Sequence, residues 1–209
     1  MKTLSTLCLA ISILVLTACS HIRVEKTDPQ SSPLAQDSQS AKSTSAKIPT
    51  QLAQWQLSGK LGVRSNKTAT SANIQWQQNQ QDYAIKLSGP LGAGMVTAEG
   101  NQQIIEVKQG SKTYRGNPQM IGDQLLGIPV PVHAISWWAR GLPSPDLNPP
   151  IDLSTDAQGK INRFTQSGWQ LSYSRYQIAQ GYLLPTKLSG QLGDLSFKLI
   201  VSDWNTADD

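Results

Sequence analysis

The stretch WQLSGKLGVR, Trp55 to Arg64, alternates at a period of two: Trp55, Leu57, Gly59, Leu61 and Val63 fall on one face, and Gln56, Ser58, Lys60 and Arg64 on the other. A helix would scatter those apolar positions around its axis, whereas a strand lays them on the face that meets a core. The stretch therefore reads as a half-buried antiparallel strand. The same alternation recurs downstream in Ala72, Ile74 and Trp76, and again in Tyr83, Ile85 and Leu87. Met95 to Glu99, Gln103 to Lys108 and Ser111 to Arg115 continue as shorter strands, punctuated by the turn signals Gly100-Asn101 and Gly110-Ser111. The pattern is a meander.

The rhythm then breaks. Asn117-Pro118 supplies an N-cap followed by proline at the first helical position, and Met120, Ile121, Leu125 and Leu126 have helical spacing before Gly127. A second helix is predicted from Pro131 to Arg140, with Gly141 just past its end. The proline-rich LPSPDLNPP, residues 142–150, cannot continue it. Strands resume at Ile151 to Leu153, Lys160 to Gln166, Trp169 to Arg175 and Leu183 to Ser189, and end with Leu195, Phe197, Leu199 and Val201 on one face. Ten or eleven strands are too many for a flat sheet, so the fold class is mainly β with a helical insert, in one curved, barrel-like antiparallel sheet.

Upstream of Trp55 the composition changes. Ser20 to about Ala53 is Ser, Gln, Ala, Lys, Thr and Pro with scattered aliphatics, which buries too little apolar area to offset chain entropy and reads as a tether. Before it, Lys2, an apolar run from Leu7 to Leu16 and small residues ahead of a cysteine form an export signal, too short to span a bilayer comfortably. Leu16-Thr17-Ala18-Cys19 resembles the lipobox of bacterial lipoproteins, in which cleavage leaves a lipidated cysteine as the first residue. An ordinary signal peptide with an incidental Cys19 is the alternative. By the same resemblance, Ser20 in place of Asp sends a Gram-negative lipoprotein to the outer membrane. Signal over 1–18, lipidated N-terminus and tether over 19–53, and one folded domain over 54–209 are thus expected. Cys8 leaves with the signal, so Cys19 has no intramolecular disulfide partner and stability rests on a packed core.

No catalytic apparatus is visible. His21 lies in the tether and His133 in the second helix; no metal, nucleotide or cofactor spacing occurs, and nothing singles out two of the scattered carboxylates as a pair. The expectation is a non-enzyme without cofactors, acting as a monomer. A formal net charge of +4 gives no case for nucleic acid and fits a weak preference for anionic surfaces at most. Six tryptophans against two phenylalanines is the unusual feature. Each Trp is singly explained as core. Together, on the inner face of a curved sheet covered by apolar helices, they suggest an acyl-binding cavity, with strand parity nominating Trp55, Leu57, Trp76, Ile85, Leu125, Trp138 and Trp169. A structural envelope lipoprotein with a filled β-core is the competing reading.

The lipobox, the stretch from Trp55 to Arg64, GPLG at Gly89 to Gly92, WWARGLP at Trp137 to Pro143, and LPTKL at Leu184 to Leu188 stand in an order and spacing that resembles the LolB family of outer-membrane lipoprotein receptors. The resemblance runs through most of the chain from Trp55. It implies an incomplete antiparallel barrel of about eleven strands with a helical lid. It also implies delivery: acyl chains of lipoproteins arrive from a periplasmic carrier of the LolA type and pass to the inner leaflet of the outer membrane. Leu91, flanked by Pro90 and Gly92, matches the family's exposed loop leucine that acts in membrane insertion. On the residues alone, Leu91 folded back as a plug on the barrel rim is the slightly preferred reading.

Overall fold

The computed structural model describes residues 46–66, 69–90, 94–126 and 131–206. Eleven antiparallel strands form one sheet: β1 (Gln54–Arg64), β2 (Ala69–Asn79), β3 (Asp82–Ser88), β4 (Val96–Gly100), β5 (Ile105–Gln109), β6 (Lys112–Gly116), β7 (Ile151–Thr155), β8 (Ile161–Gln166), β9 (Trp169–Ala179), β10 (Tyr182–Leu192) and β11 (Leu195–Thr206). Helices α1 (Pro118–Leu126) and α2 (Val132–Ala139) lie between β6 and β7 in the chain. The order β6-β5-β4-β3-β2-β1-β11-β10-β9-β8-β7 is two meanders joined where the first strand pairs with the last, Leu61 opposite Leu199 and Val63 opposite Phe197. The sheet stays open between β6 and β7, and the chain leaves and re-enters it through the two helices.

Local chemistry sets the boundaries. The fifth strand begins at Ile105 and not at Gln103 because the Asn101 side chain accepts hydrogen bonds from the Gln103 and Ile104 N–H groups, 2.9 and 3.1 Å, and turns the chain first. Asn117 caps α1 through the Gln119 N–H at 2.9 Å. The second helix ends in a Schellman motif: the Gly141 N–H donates to the Trp138 carbonyl at 2.9 Å, the Leu142 N–H to that of Trp137 at 3.1 Å, and Gly141 takes φ +83°. Pro185 sits in β10 at a register irregularity, where a missing N–H is tolerated, and its carbonyl accepts from Trp204 Nε1 at 2.8 Å. Between Ser58 and Gly59 the pairing with β11 also slips. A Cβ on Gly59 would stand 2.1 Å from the Ile200 carbonyl oxygen, so only glycine fits.

The segment read as tether up to Ala53 lies against the barrel over its last residues. Lys47 forms a bridge with Tyr182 through N–H to Gly181 O at 2.8 Å and Leu183 N–H to Lys47 O at 3.0 Å. Pro49 and Leu52 are buried, and Leu52 belongs to the core. Composition misses this because two well-placed apolar residues and two carbonyls suffice to hold a short polar strap.

A half-hollow barrel as the candidate functional site

Inner-face burial grades along the strands. In β1, Trp55 and Leu57 are buried while Leu61 and Val63 are half-buried; in β3, Tyr83 is buried while Ile85 and Leu87 are half-buried; in β11, Trp204, Val201 and Leu199 are buried while Phe197 and Leu195 are half-buried. Antiparallel register puts the buried members of all three strands at one end and the half-buried ones at the other. The barrel is closed where β1 begins and open where it ends.

The closed end is aromatic. The rings of Trp55 and Trp76 lie 5.0 Å apart and those of Trp55 and Trp204 5.4 Å apart, in tilted and edge-on contacts. Under β8 and β9 the second helix fills the concave face. Trp138 is wholly buried, packs on Trp169 at 6.0 Å, and donates from Nε1 to Gln166 Oε1 at 2.9 Å. The Gln166 amide also donates to the Ser144 and Asn148 carbonyls at 2.9 and 3.0 Å, which pins the connector after α2. The Tyr173 hydroxyl donates to the Trp138 carbonyl at 3.0 Å. Arg140 completes the lock. Its guanidinium donates to the carbonyls of Ser136, Pro49 and Leu52 at 3.2, 3.0 and 2.8 Å and lies 4.3 Å from the Trp137 ring. Burial pushes its pKa down to about 10, well above neutrality, so the cation remains charged.

The rest of the concave face is not filled. A cavity of about 320 Å³ lies between the inner faces of β1–β5 and β9–β11 and the two helices, at the lower end of the range for small-molecule sites. No charged residue and no Ser, Thr, Asn or Gln lines it. Helix α1 contributes Ile121, Gly122 and Leu125, and α2 contributes Val132, Ile135 and Ala139. The one hydroxyl in the wall belongs to Tyr83, buried without a hydrogen-bond partner, and desolvation raises its pKa to about 12. Such a chamber excludes ions and polar solutes and accepts hydrocarbon. Among the described residues there is no group of three His, Cys, Asp or Glu that could hold a metal ion. His133 faces the Asp146 carboxylate through Nδ1 and has the Trp137 ring 6.5 Å away.

Of the residues nominated by strand parity, Trp76, Ile85, Leu125 and Trp169 line the cavity. Trp55, Leu57 and Trp138 are core residues outside its wall. Parity finds the face but not the depth along it: Trp55 and Leu57 share a face with Leu61 and Val63, yet only the latter pair reaches the hollow part. Val96, Ala98, Ile105 and Val107, on the short strands, also line the wall, and alternation within β4 and β5 was the signal for them. Leu91 and Gly92 lie outside the described residues. Pro90 is exposed just beyond β3, at the open end, where β3 leads into β4.

A family model described as the outer membrane lipoprotein LolB matches residues 53–204. The outer-membrane lipoprotein LolB of Pseudomonas paraeruginosa is 38% identical over 152 residues, 72% of this chain and 73% of that protein. LolB of Ectopseudomonas mendocina is 37% identical over 156 residues, 74% of this chain and 76% of its own. A LolA superfamily protein from Nitrosomonas europaea, known from its crystal structure, aligns over 79% of this chain and 91% of its own with a TM-score of 0.51 at 11% identity, a likeness of fold. With the half-open sheet and inserted helices, these matches place the chain: it belongs to the LolB family of outer-membrane lipoproteins.

Proposed function

We propose that this protein is an outer-membrane-anchored receptor that takes lipoproteins from a periplasmic carrier, shelters their acyl chains in the hollow half of the barrel, and releases them into the inner leaflet. The observation that carries this reading is the cavity, apolar but for the Tyr83 hydroxyl, that extends toward the end of the barrel where Pro90 is exposed. The family relationship supports the location and the cargo class. The mature chain is held by a lipid on Cys19, and no enzymatic step is involved.

Magnitudes divide the labour between anchor and loop. Burying one leucine contributes about 1.5–3 kcal/mol, whereas one sixteen-carbon acyl chain gains about 12 kcal/mol at roughly 0.8 per CH₂. Leu91 is therefore too weak to anchor the protein; its role is to seat the open end against the bilayer, so that cargo chains move from cavity to leaflet without crossing water. Transfer needs no nucleotide when uptake and release are nearly balanced and the bilayer is the final sink.

Leu91→Asp tests this assignment. The variant should fold, accept a diacylated lipopeptide from the carrier, and deliver it to liposomes much more slowly than the parent; delivery at the parent rate refutes the loop's role. A soluble Cys19→Ala chain should still accept the lipopeptide, because the site lies in the folded domain, and failure to do so would count against the cavity.

A further inference from the structure

The convex wall of the barrel carries a patch of unpaired cations. Register places Lys60 opposite Ile200 and Gly62 opposite Lys198 on the β1–β11 pair, Lys187 opposite Ile200 on the β10–β11 pair, and Arg175 opposite Lys187 on the β9–β10 pair. Arg64 ends β1, opposite Ser196. Their strand neighbours Leu61, Val63, Leu188 and Leu199 line the cavity, so Lys60, Arg64, Lys187 and Lys198 lie on the opposite, outward face, and the register shift between Lys187 and Leu188 brings Arg175 onto it beside Lys187. Lys60, Arg64, Arg175 and Lys198 are exposed and Lys187 is half-buried. Among the described residues none of the five makes an ion pair. No carboxylate occupies a register position between them; Asp203, opposite Ser58, and Asp194, in the turn after β10, flank the patch.

From strand spacing and rise, these five charges fall within about 14 by 13 Å, under two Debye lengths at physiological salt. Their mutual repulsion is uncompensated within the described residues, which is the electrostatic signature of a surface built for an anionic partner. Ile200, 45% exposed, stands between Lys60 and Lys187 and gives the patch an apolar centre. The remaining outward positions among them are short or neutral: Gly62, Ser172, Ser189 and Ser196. The short residues leave a shallow depression, with Arg64 and Lys198 on its border.

We propose that this wall is a second membrane contact, resting on the headgroups of anionic phospholipids and laying the barrel along the leaflet. Two features favour a lipid surface over an acidic protein. The patch runs from mid-barrel to the rim at Arg64, continuous with the open end that the receptor reading directs at the bilayer. The first described contact of the chain with the barrel, Lys47 beside Tyr182, lies at the opposite, closed end; a barrel lying on this wall keeps that contact and the open end both near the leaflet. The proposal rests on the receptor reading for the identity of the membrane.

The experiment uses the full mature chain with Cys19→Ala, so that no lipid anchor contributes, and vesicles of phosphatidylcholine alone or with phosphatidylglycerol. Partitioning should rise with phosphatidylglycerol and fall with salt, and Lys60→Gln/Lys187→Gln/Lys198→Gln should weaken it by about fivefold for each charge removed. The charge-matched control Lys47→Gln/Lys108→Gln/Lys160→Gln should bind like the parent, and both triple variants should keep the parent's thermal midpoint. Equal loss in the two triple variants, or binding indifferent to lipid charge, overturns the proposal. Retained vesicle binding with lost carrier capture would assign the wall to an acidic protein and overturn it too. Lipopeptide uptake by the same chains is scored separately: its absence in the parent refutes the receptor reading, whereas uptake with no vesicle binding refutes only the wall.

Discussion

Under β8 and β9 the concave face is filled by Trp138 of α2, whereas under β2–β5 it is left hollow beneath α1 and the start of α2. The two helices have nearly equal length, nine residues and eight, but different anchorage. The second brings Trp138 into the core and is tied by Gln166, Tyr173 and Arg140. The first brings Ile121, Gly122 and Leu125, too small to fill the space they face, and leaves Met120 71% exposed. Unlike α2, it is tied to no strand by any side-chain hydrogen bond among those described, its own capping residue Asn117 aside. Volume and polar ties go together: both helices face the cavity, but the bulk and the hydrogen bonds to strands belong to α2.

Substitutions that exchange the characters of the two halves break or sharpen that contrast. Trp138→Ala should cost about 3–5 kcal/mol of unfolding free energy in denaturant titration, with a further penalty from the stranded Gln166 amide. Arg140→Ala should cost about 2 kcal/mol, because three buried carbonyls lose their donor, and should release the strap at Pro49 and Leu52 to hydrogen exchange. On the hollow side, Ile85→Ala should fall below the 2 kcal/mol that marks the low end for fully buried isoleucines. Leu125→Trp should leave stability near the parent value and abolish lipopeptide uptake, since it puts bulk where the cavity is; an uptake unchanged by that substitution breaks the contrast.

Smaller still is the effect of Tyr83→Phe, which removes a buried hydroxyl without a partner and should be neutral or stabilising by up to about 1 kcal/mol in thermal melts. The same phenol gives a pH signature. Burial raises Tyr83 to about 12 and also raises Tyr173 and Tyr176 above the ordinary tyrosine value. Above pH 10 the unfolded chain releases these protons first and so binds fewer than the folded one, and stability must fall as pH rises through that window. Tyr83→Phe should make the fall less steep; an unchanged alkaline slope would contradict the burial of this hydroxyl.

Alternation in the Trp55–Arg64 stretch and its repeats was enough to read strands, their inward faces and the helical insert, because a half-buried strand imprints its period on the sequence. Asn117-Pro118 and Gly141 marked helix ends for the same local reason. Depth was not legible. Whether an inward residue meets packing or empty space depends on what the opposite element carries: Trp138 fills its place, whereas Gly122 does not. The strap at residues 47–52 was invisible too, since its bonds are backbone carbonyls to a distant arginine and carry no composition signal.

Quenching of tryptophan fluorescence by a lipopeptide with brominated acyl chains tests the hollow half most directly, because Trp76 and Trp169 line the cavity and Trp204 does not. Saturable quenching of the parent chain, largely lost in Trp76→Phe/Trp169→Phe and retained in Trp204→Phe, is the predicted result. Emission that the lipopeptide leaves unchanged, or quenching as strong in the double variant as in the parent, would contradict it.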